Sequence, residues 1–225
     1  MKALKIFAAC AAFACAAIAV PAHATLTTYT NLASFQAASG LTTIETFSSA
    51  AVGTSTANYA GAFNGFALSS TANGDYSGIA TATIATFGDN SSIPASFSGQ
   101  KFYGWGDSSG NGNVGPTTLF TFNHAVTAFA FDWFNTDGTD VYSVTVNNLT
   151  QNVFATSSNG FFGVVASNNE TFTNASIQTA SYGGYISTEG LDNVRVSAVP
   201  EPTGIALFGI ALFGFVAARR RSRAK

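Results

Sequence analysis

From Leu41 to Ser197 the chain is built of short apolar or alternating runs broken by Gly, Asn and Asp, and hardly any of it carries a helical period. Alternation with period two is the mark of strands. The runs are Leu41–Phe47, Phe63–Ser69, Gly78–Phe87, Thr117–Asn123, Val126–Phe134, Val141–Leu149, Asn152–Thr156, Phe161–Val165, Thr171–Thr179 and Leu191–Ser197. In Val126–Phe134, Phe129, Phe131 and Trp133 share one face while Val126, Ala128 and Ala130 share the other, so this strand is apolar on both sides and central. Turn signals separate the runs: Asn73-Gly74-Asp75, Gly88-Asp89-Asn90, Asp137-Gly138, Asn147-Asn148, Ser158-Asn159-Gly160 and Gly183-Gly184. One short helix is predicted at Leu32–Ala38, capped by Asn31. Many short strands with almost no helix predict an all-β fold, an antiparallel β-sandwich of the jelly-roll type. The glycine-rich stretch from Trp105 to Pro116 reads as a long surface loop.

Both ends differ from this middle. Met1 to Ala24 has the organisation of a secretory signal peptide: Lys2 and Lys5, then an uncharged apolar run from Ile6 to Val20, then Ala22-His23-Ala24 as a small-x-small cleavage site. Cys10 and Cys15 lie inside it, so a chain cut after Ala24 contains no cysteine and forms no disulfide. Residues 25–198 then form a single domain, long enough for a substantial core. That stretch contains two basic residues, Lys101 and Arg195, against ten acidic ones, a net charge of −8. Nucleic acid needs clustered Lys and Arg and is excluded as a partner. An acidic surface of this kind favours solubility or attraction of divalent cations.

The C-terminal end carries three parts in sequence. Val199-Pro200-Glu201-Pro202 comes first, then an uncharged apolar run from Thr203 to Ala218, then a cluster with Arg219, Arg220, Arg221, Arg223 and Lys225. Sixteen residues of helix span about 24 Å, just short of a hydrocarbon core of about 30 Å. The trailing positive charge keeps that end in the cytoplasm and places the bulk of the chain outside. A buried C-terminal helix or an ordinary single-span anchor are the plainer readings; the arginine cluster speaks against the first and the Pro-Glu-Pro triplet against the second. Residues 199–225 as a whole resemble the PEP-CTERM sorting signal, also catalogued as an ice-binding-protein C-terminal domain. The resemblance implies recognition by an exosortase, a membrane transpeptidase of Gram-negative bacteria that make exopolysaccharide. It implies an exported precursor held in the inner membrane by its C-terminal helix. Removal of the tail then delivers the domain to the cell envelope or extracellular matrix. It does not imply ice binding. More loosely, Phe129 to Val196 resembles the β-sandwich ectodomains that commonly carry this tag, and Gly190-Leu191-Asp192-Asn193-Val194 is similar to a last-strand motif of lectin-like jelly rolls.

Candidate chemistry in the domain is sparse. Asp132, Asn135, Asp137 and Asp140 surround a predicted hairpin and offer the hard oxygen ligands that Ca²⁺ requires, with Glu189 and Asp192 as further candidates. Asp137-Gly138 is equally a turn pair in its own right. Trp105, Tyr182 and Tyr185 fall in predicted loops, where aromatic rings suit stacking on sugars and equally suit packing as staples beneath the loops. His124 stands alone, without a nucleophile elbow elsewhere, and zinc would need several His or Cys. Asp132 and Asp140 are the candidate pair for acid–base work on a glycosidic bond, and their spacing does not specify it. The domain is read as non-enzymatic, with a structural or adhesive role in exopolysaccharide. A calcium-dependent carbohydrate-binding module and a glycan-active hydrolase stand as alternatives.

Overall fold

A computed structural model of the chain describes residues 25–40, 42–55, 58–71, 76–81, 93–106, 114–136, 141–154, 159–167, 170–180 and 189–198. Strand follows strand from the start: β1 (Leu26–Tyr29), β2 (Thr43–Glu45), β3 (Gly53–Ser55), β4 (Tyr59–Phe63), β5 (Phe66–Ser70), β6 (Tyr76–Thr81) and β7 (Lys101–Gly106). Then come β8 (Val114–Asn135), β9 (Val141–Val146), β10 (Leu149–Phe154), β11 (Asn159–Ala166), β12 (Phe172–Ala180) and β13 (Glu189–Ala198). A helix α1 (Leu32–Ser39) and a 3-10 turn (Ala95–Phe97) interrupt them. Every strand pairing is antiparallel, so the all-β antiparallel expectation stands.

The predicted helix is present, one residue longer than read. Asn31 Oδ1 accepts from the Ser34 amide at 2.9 Å, and Gly40 ends the helix at φ 70°, its N–H donating to Gln36 O. Such a cap satisfies donors that the first turn leaves open.

The strands form one hydrogen-bonded sheet where two separate sheets were expected, and the difference lies in β8. The runs Thr117–Asn123 and Val126–Phe134 are a single 22-residue strand. Its first half pairs with β12 and β5, its second half with β11 and β13. Val126 is the changeover, opposite both Phe172 of β12 and Ala198 of β13. The break in alternation at Asn123-His124-Ala125 marks a change of partners rather than a turn. Wing I is then β10-β9-β12-β8-β5-β4, and wing II is β1-β11-β8-β13-β7-β6-β3, with β2 also on β13.

The wings fold face to face about β8 in a sandwich-like arrangement. Phe129 of the second half lies 5.0 Å from Phe120 and 5.4 Å from Phe122 of the first, ring centre to ring centre. Tyr142 of β9 meets both Trp133 and Trp105 across the interior. Trp105 Nε1 donates to Thr179 Oγ1 at 2.9 Å, and the Tyr103 and Thr118 hydroxyls pair at 3.0 Å. These two buried bonds tie β7 to wing I while satisfying groups whose desolvation would otherwise be costly. Burial raises the Tyr103 phenol to about 12, so it stays protonated as a neutral partner.

The outer face of wing II is covered as well. Phe35 of α1 is fully buried over Ala128 and Ala130, beside Tyr29 and Phe161. Phe97 of the 3-10 turn packs on Phe102 and Phe134. Gly190, opposite Phe134 in the β13–β8 ladder, makes that second cluster possible. A methyl group there would overlap the Phe134 ring and stand 2.9 Å from Phe102 Cδ2. Because Phe134 is wedged between Phe97 and Phe102, it has nowhere to go. Gly190→Ala is expected to cost about 1–3 kcal/mol, read as a lower midpoint in urea unfolding; an unchanged midpoint would contradict this packing.

Candidate functional site

On the outer face of wing II the α1 segment and the 3-10 turn leave a gap, and Asp132 of β8 lies in it. Strand alternation puts Asp132 on this face with Ala128, Ala130 and Phe134, opposite the core residues Phe129, Phe131 and Trp133. Its partner is Arg195 of β13, whose Nη2 stands 3.1 Å from Asp132 Oδ2. Nη1 of the same guanidinium donates to Asn193 O at 2.8 Å, and its Cζ lies 5.6 Å from the Phe161 ring centre. An arginine held by a carboxylate, a carbonyl and an aromatic face is fixed in orientation.

A bulge in β13 shapes this corner. Asp192 is opposite Asp132 and Arg195 opposite Ala130, so two residues stand on β13 where β8 spends one. Asn193, in the bulge, adopts φ 50°, a left-handed conformation that asparagine tolerates better than most residues. Asp192 is buried, 1% exposed, and neither carboxylate oxygen reaches a hydrogen-bond partner of good geometry. Burial is the main force pushing its pKa up to about 7; the negative charges of Asp132 and Glu45 add to it, while the Asn193 amide and Arg195 oppose it. Glu45 on β2 is engaged elsewhere, accepting from the amides of Phe47 at 2.7 Å and Asn64 at 3.0 Å.

The gap is a cavity of about 420 Å³. Asp132, Asn193 and Phe161 form its floor, with Asn31 and Thr30 on the α1 side and Ser96 and Phe97 on the other. Asn159 and Gly160 at the start of β11 close one end.

Of the four residues proposed for calcium, the two that are described do not share a face. Asp132 and Asn135 are three apart on one strand and so face opposite sides of the sheet; Asn135 is fully buried against Glu189, its register partner on β13. Asp137 and Asp140 lie outside the described residues. Among the described residues no three His, Cys, Asp or Glu side chains converge on one point. Glu189 is itself fully buried at the β7–β13–β8 junction.

Trp105 requires a correction. It is not in a surface loop but in β7, 1% exposed, and its ring and its N–H are both spent on the core. Sugar stacking on it is ruled out in the folded domain. Tyr182 and Tyr185 lie outside the described residues. His124 is exposed on β8 next to the changeover. The groove itself was not anticipated: only Asp132 and its acidic neighbours were singled out, and the sequence gives no sign that Asp132 would face Arg195, 63 residues away.

The sorting elements themselves, Val199, Pro200, Glu201 and Pro202, the basic cluster from Arg219 to Lys225, and Ala22 and Ala24 at the other end, lie outside the described residues. What the structure shows is the approach to them. Ser197, the end of the last predicted run, and Ala198 are the last residues of β13; Ser197 is buried and its Oγ donates to Ser39 O at 3.2 Å. Among curated proteins none shows significant similarity to this chain. A profile of the PEP-CTERM protein-sorting motif matches residues 198–221. The chain thus carries the PEP-CTERM protein-sorting motif from the last residue of β13 into the arginine cluster, which marks it as an exported, membrane-anchored precursor targeted by an exosortase.

Proposed function

We propose that the protein is a non-catalytic component of the cell envelope or extracellular matrix, delivered there by exosortase processing and acting in a structural or adhesive role with exopolysaccharide. The observation that carries this reading is the sorting motif at 198–221, joined directly to a β-rich domain of net charge −8. The two wings packed on one core support the finer reading of that domain as a lectin-like jelly roll. A non-catalytic role is favoured by the state of Asp132, the acid considered for hydrolysis: it is held by Arg195.

Processing is tested by mass spectrometry of the protein recovered from cells with and without an exosortase. The expected result is loss of Arg219, Arg220 and Arg221 only when the enzyme is present, and their retention when Pro200, Glu201 and Pro202 are all replaced by alanine. A mature protein that keeps its arginines in the presence of the enzyme would remove the processing step. The matrix role is tested by co-sedimentation of the protein with exopolysaccharide isolated from its own host; a protein that stays in the supernatant would leave export without adhesion.

A further inference from the structure

We infer that the groove between α1 and the 3-10 turn binds uncharged sugar residues of a polysaccharide chain. The choice of polymer rests on the matrix role proposed above; the chemistry of the groove stands without it.

Size comes first. A volume of about 420 Å³ falls in the range of clefts that hold small ligands, typically about 300–1,000 Å³. The walls come next. Asn193 offers a side-chain amide, with two donors and an acceptor, and Ser96 offers a hydroxyl. Asp132 adds a carboxylate whose position Arg195 fixes. A sugar hydroxyl donates and accepts at once, and a mixed set of this kind satisfies it where a purely acidic or purely basic wall does not. Phe161 adds apolar surface to the groove lining beside its contacts with Phe35 on α1 and with the Arg195 guanidinium.

Charge decides the class. The domain has two basic side chains. Arg195 is committed to Asp132, to Asn193 O and to the Phe161 ring. Lys101 donates to Ala50 O at 2.5 Å, on another strand of the sheet. An anionic ligand therefore finds no available cation, and it meets a domain of net charge −8. Among the described residues, a hard cation finds one carboxylate lining the groove, whose charge Arg195 already balances. What remains is a neutral ligand rich in hydroxyl groups.

Two variants isolate the site. Ser96→Trp fills the groove from an exposed position on the 3-10 turn. Asn193→Gly removes one amide while keeping a residue that accepts φ 50°. The full-length chain, held in a detergent without sugar head groups, is examined by saturation-transfer NMR. The probes are glucose, galactose, mannose, N-acetylglucosamine and their β-linked disaccharides, with glucuronate and CaCl₂ as separate arms. The expected result is transfer to at least one neutral sugar with millimolar affinity, abolished by Ser96→Trp and weakened about tenfold by Asn193→Gly, at unchanged melting temperature. The inference is overturned if no neutral sugar receives signal, if glucuronate binds more tightly than every neutral probe, if Ca²⁺ is required for any binding, or if both variants bind as the parent does. Co-sedimentation with the native polymer that survives Ser96→Trp would keep the matrix role and remove this groove from it. Sugar binding without co-sedimentation would do the reverse.

Discussion

Replacing Trp105 with alanine is expected to destabilise the domain by about 3–5 kcal/mol, the range for deleting a large buried aromatic. The indole is 1% exposed, packs against Tyr103 and Tyr142, and donates to Thr179. Truncation opens a cavity at the junction of the two wings and leaves a buried Thr179 hydroxyl without this donor, a loss that adds to the cavity cost. Trp105→Phe separates the two contributions: it keeps most of the packing and loses the N–H, and roughly 1–2 kcal/mol is expected. Urea unfolding followed by fluorescence is well suited, because Trp133 is the other tryptophan and remains as reporter. A Trp105→Ala chain that unfolds at the parent's midpoint would mean that the ring is not in the core. With the expected destabilisation, any loss of glycan binding in that variant is read as unfolding first.

The second large effect is set by pH. In the folded domain burial pushes the Asp192 pKa up to about 7, above its usual value of 3.8. Below about pH 4 the residue is protonated in both the folded and the unfolded chain and costs nothing. Between about pH 4 and about pH 7 the unfolded chain releases the proton while the folded one retains it, so this residue's contribution to stability falls as pH rises. Above about pH 7 the carboxylate is charged in both states and the cost levels off. The full shift corresponds to about 4 kcal/mol, and relaxation around the buried group reduces the expected cost to roughly 2 kcal/mol. Asp192→Asn removes it. The variant is expected to be more stable than the parent by roughly 2 kcal/mol at about pH 8 and by a small fraction of that at about pH 4. Chemical denaturation at the two pH values measures the difference; a gain that is the same at both would show that Asp192 does not titrate across this range. The charged groups acting on Asp192 are Asp132 on β8, Glu45 on β2 and Arg195 on β13, and double variants with Asp132→Asn distinguish their shares.

How much of this was legible beforehand depended on whether the signal was local. The alternation of Phe129, Phe131 and Trp133 announced a central strand, and Asn31 announced the helix start, because each is written in consecutive residues. Asn147-Asn148 signalled a turn for the same reason, and both residues take positive φ, 48° and 65°, as a two-residue hairpin asks; the strand run Val141–Leu149 extended through it, whereas β9 ends at Val146. β7 was missed because it is buried on both faces and so shows no alternation. Gly104 within it imitates a loop, yet it is there for close approach: a methyl group would stand 2.9 Å from Phe102 Cε2 and 3.0 Å from Glu189 O. β4 was missed because Tyr59–Phe63 is mostly Gly and Ala, although Asn64-Gly65 signals the hairpin after it. The groove lay beyond local reading altogether. It depends on Asp132 facing Asp192 and Arg195 across a bulge, which is a matter of register between strands some 60 residues apart. The sorting tail, by contrast, was legible from end to end, since its three parts are contiguous.

β13 is an interior strand, bonded to β8 and β7 and also to β2, and the sorting motif begins on its final residue. A molecule tethered through that end takes up mechanical load along the axis of β13. Tension then shears many hydrogen bonds against β8 at once instead of unzipping them singly from an edge. For a protein fastened to a surface in moving water, that geometry resists being torn away.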